Sequence, residues 1–213
     1  MTSEVTRLRE EICLLARSMF DRGLTHGSTG NISARLADGG LLVTPTGSSF
    51  GRLDPARLSR FDANGRLVDG DPPTKEMPLH TAFYETTAAG AVVHLHATHS
   101  VALSILPNTD PDDVLPPLTA YSVMKLGKVK LLPFFAPGDP QMGAAIRELA
   151  GRHPAVLLAH HGPVVAAGDL SAAVEAMEEL EATARLVLLC HGLNPRRLAP
   201  EQIDAVRARA SGL

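Results

Sequence analysis

Val5, Leu8, Ile12, Leu15 and Met19 recur at helical spacing, which predicts a helix from about Ser3 to Arg22 with Ser3 as N-cap and Gly23 at its end. Small residues, Asn31-Ile32-Ser33, a turn at Asp38-Gly39-Gly40 and Leu41-Leu42-Val43 then read as a hairpin, and Asp62 to Gly65 as a further turn. A short helix from Thr74 to about Thr87 follows Pro72-Pro73, and Ala91 to His96 reads as a buried strand. Beyond it the pattern gives a helical turn or two from Ser100 to Leu106 and a loop from Pro107 to Pro117. Strands at Lys130 to Phe135 and Ala155 to Ala159 flank a helix from about Gln141 to Ala150. The clearest helix runs from Asp169 or Ser171 to about His191. Val174, Met177, Leu180, Ala184 and Val187 form its apolar stripe, with a run of Glu on the other face. A short tail helix begins near Pro200.

Short strands alternating irregularly with helices predict one α/β domain over residues 1–213, a mixed sheet covered by helices. The 213 residues suffice for one sizeable core. Twenty basic and twenty-three acidic residues leave a formal charge of −3, which argues against a nucleic-acid or anionic-membrane partner. No apolar stretch approaches the ~20 residues of a membrane span. The charged opening MTSEVTRLREE has no signal-peptide pattern, so a cytoplasmic location is expected. Cys13 and Cys190 read as reduced, buried thiols.

The chemistry concentrates in histidines. On a strand, His94 and His96 project from the same face while Leu95 points into the core, which gives either half of a metal site or two satisfied histidines at a strand end. Ala159-His160-His161-Gly162 follows a second apolar strand and supplies a third imidazole. Adjacent strand residues face opposite ways, and the glycine favours His161. Three histidines with an open position suit a catalytic zinc. Glu76 is either a proton shuttle and occasional fourth ligand, or a first-turn Glu placed against the helix dipole. The loops Gly27 to Asn31, Thr44 to Ser48 and Thr74-Lys75 carry hydroxyls and glycines suited to an anion, without a Walker or dinucleotide fingerprint.

Gly-Ser-Thr-Gly-Asn-Ile-Ser, Thr-Pro-Thr-Gly, Pro-Thr-Lys-Glu, Val-Val-His-Leu-His and His-His-Gly, in this order, resemble the class II aldolase/adducin family from Arg9 to about Leu189. The segments around Leu53-Asp54-Pro55 and Val114-Leu115-Pro116 look most like its 3-oxo-tetronate 4-phosphate decarboxylases. The resemblance implies a largely antiparallel central sheet. It also implies one zinc ion per subunit held by His94, His96 and His161, with Glu76 as acid/base and occasional ligand. Phosphate contacts are implied for Gly30, Asn31, Thr46, Gly47 and Thr74. Lys75 stands where the aldolases usually have serine, and would suit a substrate bearing both phosphate and carboxylate. Lys125 is a further candidate for that carboxylate. Tyr121 matches a tyrosine that reaches the site from a neighbouring subunit, implying a homotetramer with interfacial sites. The implied activity is zinc-dependent decarboxylation of a 3-oxo-tetronate 4-phosphate. The alternatives are an L-fuculose-phosphate type aldolase, an L-ribulose-5-phosphate 4-epimerase, or an adducin-like interaction module without catalysis. His80 and His99 read as structural, and the resemblance assigns nothing to His26 or His160.

Overall fold

Alternating side chains decide how the strands sit. In the computed structural model, which describes residues 3–210, eight strands form one sheet: β1 (Asn31–Arg35), β2 (Leu41–Val43), β3 (Ser59–Phe61), β4 (Leu67–Asp69), β5 (Ala91–His94), β6 (Lys130–Leu132), β7 (Ala155–Leu158) and β8 (Gly162–Ala167). Their order is β4-β3-β2-β1-β5-β8-β7-β6, and every neighbouring pair is antiparallel except β6–β7. Seven helices are described: α1 (Glu4–Asp21), α2 (Met77–Thr86), α3 (Thr98–Ser104), α4 (Ala120–Leu126), α5 (Gln141–Glu148), α6 (Leu170–Leu189) and α7 (Pro200–Ala210). The mixed, largely antiparallel sheet covered by helices is the fold expected from the sequence. Residues 1–2 and 211–213, part of the expected 1–213 domain, lie outside the described residues.

Two apolar clusters sandwich the sheet. Ile12 and Met19 of α1 and Val174, Met177 and Leu180 of α6 share one with Ile32, Val93, Leu95 and Val165. Leu79 and Phe83 of α2 and Met142 and Ile146 of α5 share the other with Val92, Val156 and Val164. Each such side chain, fully buried, contributes about 1.5–3 kcal/mol. Because Ile32 and Ala34 join the first cluster, Asn31 and Ser33 face α2. The β1–β5 register sets Asn31 against His94 and Ser33 against Val92, so a polar line is built into an otherwise apolar face.

Several boundaries differ from the sequence pattern. Helix α2 starts at Met77, leaving Glu76 as its N-cap residue and Thr74-Lys75 in the preceding turn. Strand β5 ends at His94, so His96 lies just beyond it. Strand β8 begins at Gly162, read as a turn, and continues through residues given no element, α4 was not expected, and Asp62 to Gly65 is the tip of a β3–β4 hairpin. Ser3 caps α1 by accepting from the Thr6 amide at 3.2 Å. Cys13 and Cys190 are free but only half-buried, and burial raises the Cys13 thiol to about 11. Glu181 is not on the solvent face of α6. It is buried, and its carboxylate accepts from the His99 and Ser100 amides at 2.8 and 2.9 Å, tying α3 to α6.

Arg9 anchors the open edge of the sheet. It is buried, and it donates to the carbonyls of Pro55 (2.6 Å) and Leu58 (2.9 Å) as well as to Asp69 (2.6 Å). Asp69 is mostly exposed and adds little; the two carbonyls carry the effect. Replacing Arg9 by Met leaves both carbonyls without this donor, at an expected cost of about 2–3 kcal/mol. A melting temperature lowered by roughly 4–12 °C, read by calorimetry or circular dichroism, is the expected result.

Candidate active site

The ends of the central strands β5 and β7 and the start of α2 bring Glu76, His94, His96 and His161 together, with one ligand atom from each lying within 4.8 Å of all the others. His94 ends β5, and His96 continues the alternation onto the same side. His161 comes from the β7–β8 turn, which is reversed by His160 at φ +59°, a left-handed conformation uncommon outside glycine. Two glycines let the backbone close on β5 from either side. A Cβ at Gly30 would lie 2.8 Å from the His94 carbonyl oxygen, and one at Gly162 only 2.1 Å from that of Leu95.

A hydrogen bond orients the His94 ring. His94 Nδ1 is 2.8 Å from the Pro163 carbonyl. It must donate there, which turns the Nε2 lone pair towards the cluster. His94 Nε2 lies 3.4 Å from Glu76 Oε2, and His161 Nε2 lies 3.0 Å from both Glu76 Oε1 and His96 Nε2. His94 Nε2 is buried without a hydrogen-bond partner. Ligands bound at about 2.1 Å in a tetrahedron are separated by about 3.4 Å, close to these spacings. Burial, ahead of the neighbouring charges, lowers His94 to about 4 and also lowers His96, so both imidazoles are neutral near pH 7. Burial works against ionisation of Glu76, but the His161 contact, the electrostatic attraction of the His94 and His161 rings and the Asn31 hydrogen bond outweigh it. Its carboxyl is held well below the usual range. Neutral imidazoles with converging lone pairs beside a carboxylate are the donor set of a divalent transition metal.

Beside the cluster opens a cleft of about 180 Å³ lined by Glu76, His96, Gly30, Asn31, Thr46, Gly47, Thr74 and Lys75, with Ser28, Thr29, Pro45, Ser48, Pro137 and Gly138 completing its walls. All six residues expected to meet phosphate or substrate therefore surround one opening. Their parts differ. Thr46 spends its amide on the Pro72 carbonyl, so that loop offers the Thr46 hydroxyl and Gly47. Thr74 Oγ1 accepts from the Glu76 amide. Lys75 is exposed at the mouth. The Asn31 carboxamide is held between Glu76 Oε2 (2.7 Å) and His80 Nε2 (2.6 Å), an engagement not foreseen from sequence. Pro137 and Gly138, after β6, were not anticipated either, and no motif marks them.

Tyr121 and Lys125 lie elsewhere. Tyr121 is 60% exposed on α4 and does not line the cleft of its own chain. Lys125 pairs with Glu175 of α6 at 2.7 Å. His99 is tied to Glu181 at 2.7 Å, and the His160 ring lies edge-on to Phe134.

Residues 10–188 match the model of the class II aldolase and adducin N-terminal domain. The chain belongs to the class II aldolase/adducin family. Within that family, the 3-oxo-tetronate 4-phosphate decarboxylase of Escherichia coli K12 is 46% identical over 202 residues, covering 94% of this chain and 95% of the relative. The L-fuculose phosphate aldolase of the same organism is 31% identical over 188 residues, covering 87% and 84%. The crystal structure of YgbL from E. coli, described as an aldolase/epimerase/decarboxylase without a choice among the three, superposes with a TM-score of 0.93. It is 44% identical, with 96% of this chain and 100% of that one covered. Family membership is thus shown, and the chain carries a four-residue cluster whose donor atoms could hold a metal ion. Among the described residues, no helix is long and apolar enough to cross a membrane.

Proposed function

We propose that this chain decarboxylates a 3-oxo-tetronate 4-phosphate, releasing CO2 and dihydroxyacetone phosphate. The observation that carries the reading is the convergence of three imidazoles and Glu76 beside a cleft ringed by hydroxyls, glycines and one lysine. The 46% identity to a decarboxylase, against 31% to an aldolase, supports the choice of reaction.

The substrate is a β-keto acid. Breaking its C1–C2 bond leaves the electron pair on C2, delocalised into the C3 carbonyl as an enediolate. A divalent cation on His94, His96 and His161, zinc by the chemistry of the donor set, would supply Lewis-acid stabilisation of that negative charge. Thr46, Gly47, Gly30 and Thr74 hold the phosphate in this reading, and Lys75 meets a carboxylate or phosphate oxygen at the mouth. Glu76 takes a proton from solvent and delivers it to C2. It is ionised at rest, and a substrate bringing two anionic groups into the cleft raises its affinity for the proton it must carry. Tyr121, remote from its own cleft, is assigned to a neighbouring copy's site in a homotetramer of a cytoplasmic enzyme. An adducin-like module without catalysis gives no reason for three imidazoles and a carboxylate to remain converged.

Incubation of the purified protein with 3-oxo-4-phosphotetronate should yield CO2 and dihydroxyacetone phosphate in equal amounts. If neither forms while L-fuculose 1-phosphate is cleaved, the chain is an aldolase.

A further inference from the structure

The α2 face of β1 carries more polar groups than metal and substrate use. Asn31 and Ser33 point from alternate positions of β1, and Glu76, His80 and Tyr84 recur every four residues along α2. They meet in one line. Tyr84 Oη lies 2.8 Å from Ser33 Oγ, Ser33 Oγ lies 2.7 Å from His80 Nδ1, His80 Nε2 lies 2.6 Å from Asn31 Oδ1, and Asn31 Nδ2 lies 2.7 Å from Glu76 Oε2. Ser33 and His80 are wholly buried, and Asn31 nearly so.

Donor and acceptor capacities allow one direction. An ionised Glu76 only accepts, so Asn31 presents its NH2 to it and its oxygen to His80. His80 Nε2 must then carry a hydrogen. Burial strongly disfavours an imidazolium here and lowers His80 to about 3. The neutral ring therefore accepts at Nδ1, Ser33 donates to it, and Tyr84 donates to Ser33. Each donation polarises the next, and all run towards the carboxylate.

We propose that His80, Ser33 and Tyr84 are positioning residues: a one-way chain of donated hydrogen bonds that clamps Glu76 Oε2 through Asn31 and so fixes the direction in which Oε1 faces the imidazoles. Glu76 Oε1 lies on the other side of this carboxylate, 3.0 Å from His161 Nε2. The catalytic consequence rests on the acid/base part proposed above for Glu76; the hydrogen-bond direction does not.

Two measurements separate these parts. Nitrogen-15 NMR of the histidine rings, in metal-free and zinc-loaded protein, should show His80 as the Nε2–H tautomer near neutral pH. The Nδ1–H tautomer or an imidazolium overturns the chain whether or not any substrate turns over. In kinetics on 3-oxo-4-phosphotetronate, His80→Leu should lower kcat about 10–100-fold with KM and metal content close to wild type. His80→Gln, which returns a donor near the Nε2 position, should recover much of the loss, and Tyr84→Phe should give a smaller drop in kcat. Wild-type kcat in His80→Leu, or a loss that follows metal content in all three variants, overturns the positioning role. If His80→Leu does not fold, Tyr84→Phe and the tautomer decide. A wild-type protein inactive on this substrate, with the tautomer as expected, overturns the reaction proposed above and leaves the directed chain standing.

Discussion

Replacing Glu76 by Gln should reduce turnover by about 10²–10⁴-fold, the usual range for removing a positioned acid/base, while the metal content of the protein largely survives. The reason is geometric. Gln keeps the shape and can still accept from Asn31 Nδ2 at the Oε2 position, but the atom in place of Oε1 becomes an NH2 that can neither take up nor deliver the proton. His94, His96 and His161 remain to hold the cation. Steady-state kinetics paired with elemental analysis checks both halves, and retained turnover removes Glu76 as the acid/base.

His94→Ala should have the opposite signature, with metal lost together with activity. His94 is wholly buried, its ring is fixed by the Pro163 carbonyl, and its Nε2 has no other partner. Alanine removes one of three imidazoles and strands that carbonyl. Bound metal should fall well below one ion per chain, and turnover by at least about 10²–10³-fold, the range seen when electrostatic stabilisation of a developing oxyanion is removed. Normal metal content in His94→Ala would place the ion elsewhere.

Much of the site was legible because its chemistry is periodic. His94 and His96 share a face by strand alternation whether or not the strand formally reaches residue 96, so the early end of β5 did no harm. The glycine after His161 did mark a turn. It opens β8 as well, a strand hidden by the Gly162-Pro163 pair, which reads as a breaker although proline is tolerated at a strand's beginning. Other features needed tertiary partners. Glu181 lies four residues beyond Met177 and seven beyond Val174, on the apolar stripe of α6, so its spacing already separated it from Glu178 and Glu179. What it caps, the start of α3, is invisible without the fold. The same holds for Asn31 and Ser33. Their alternation and the four-residue repeat of Glu76, His80 and Tyr84 can each be read in the chain, but only the packing of α2 on β1 joins the two rows. Tyr121 offered no local signal at all, because its expected partner is another copy of the chain.

Three imidazoles from separate elements are expected to hold one divalent ion beside Glu76. Anomalous diffraction from crystals of protein purified without chelator, collected on both sides of the zinc absorption edge, tests it most directly. One peak about 2.0–2.1 Å from Nε2 of each of His94, His96 and His161 is the expected result. Rings turned apart with no peak between them, in crystals of protein that turns over substrate, would contradict it.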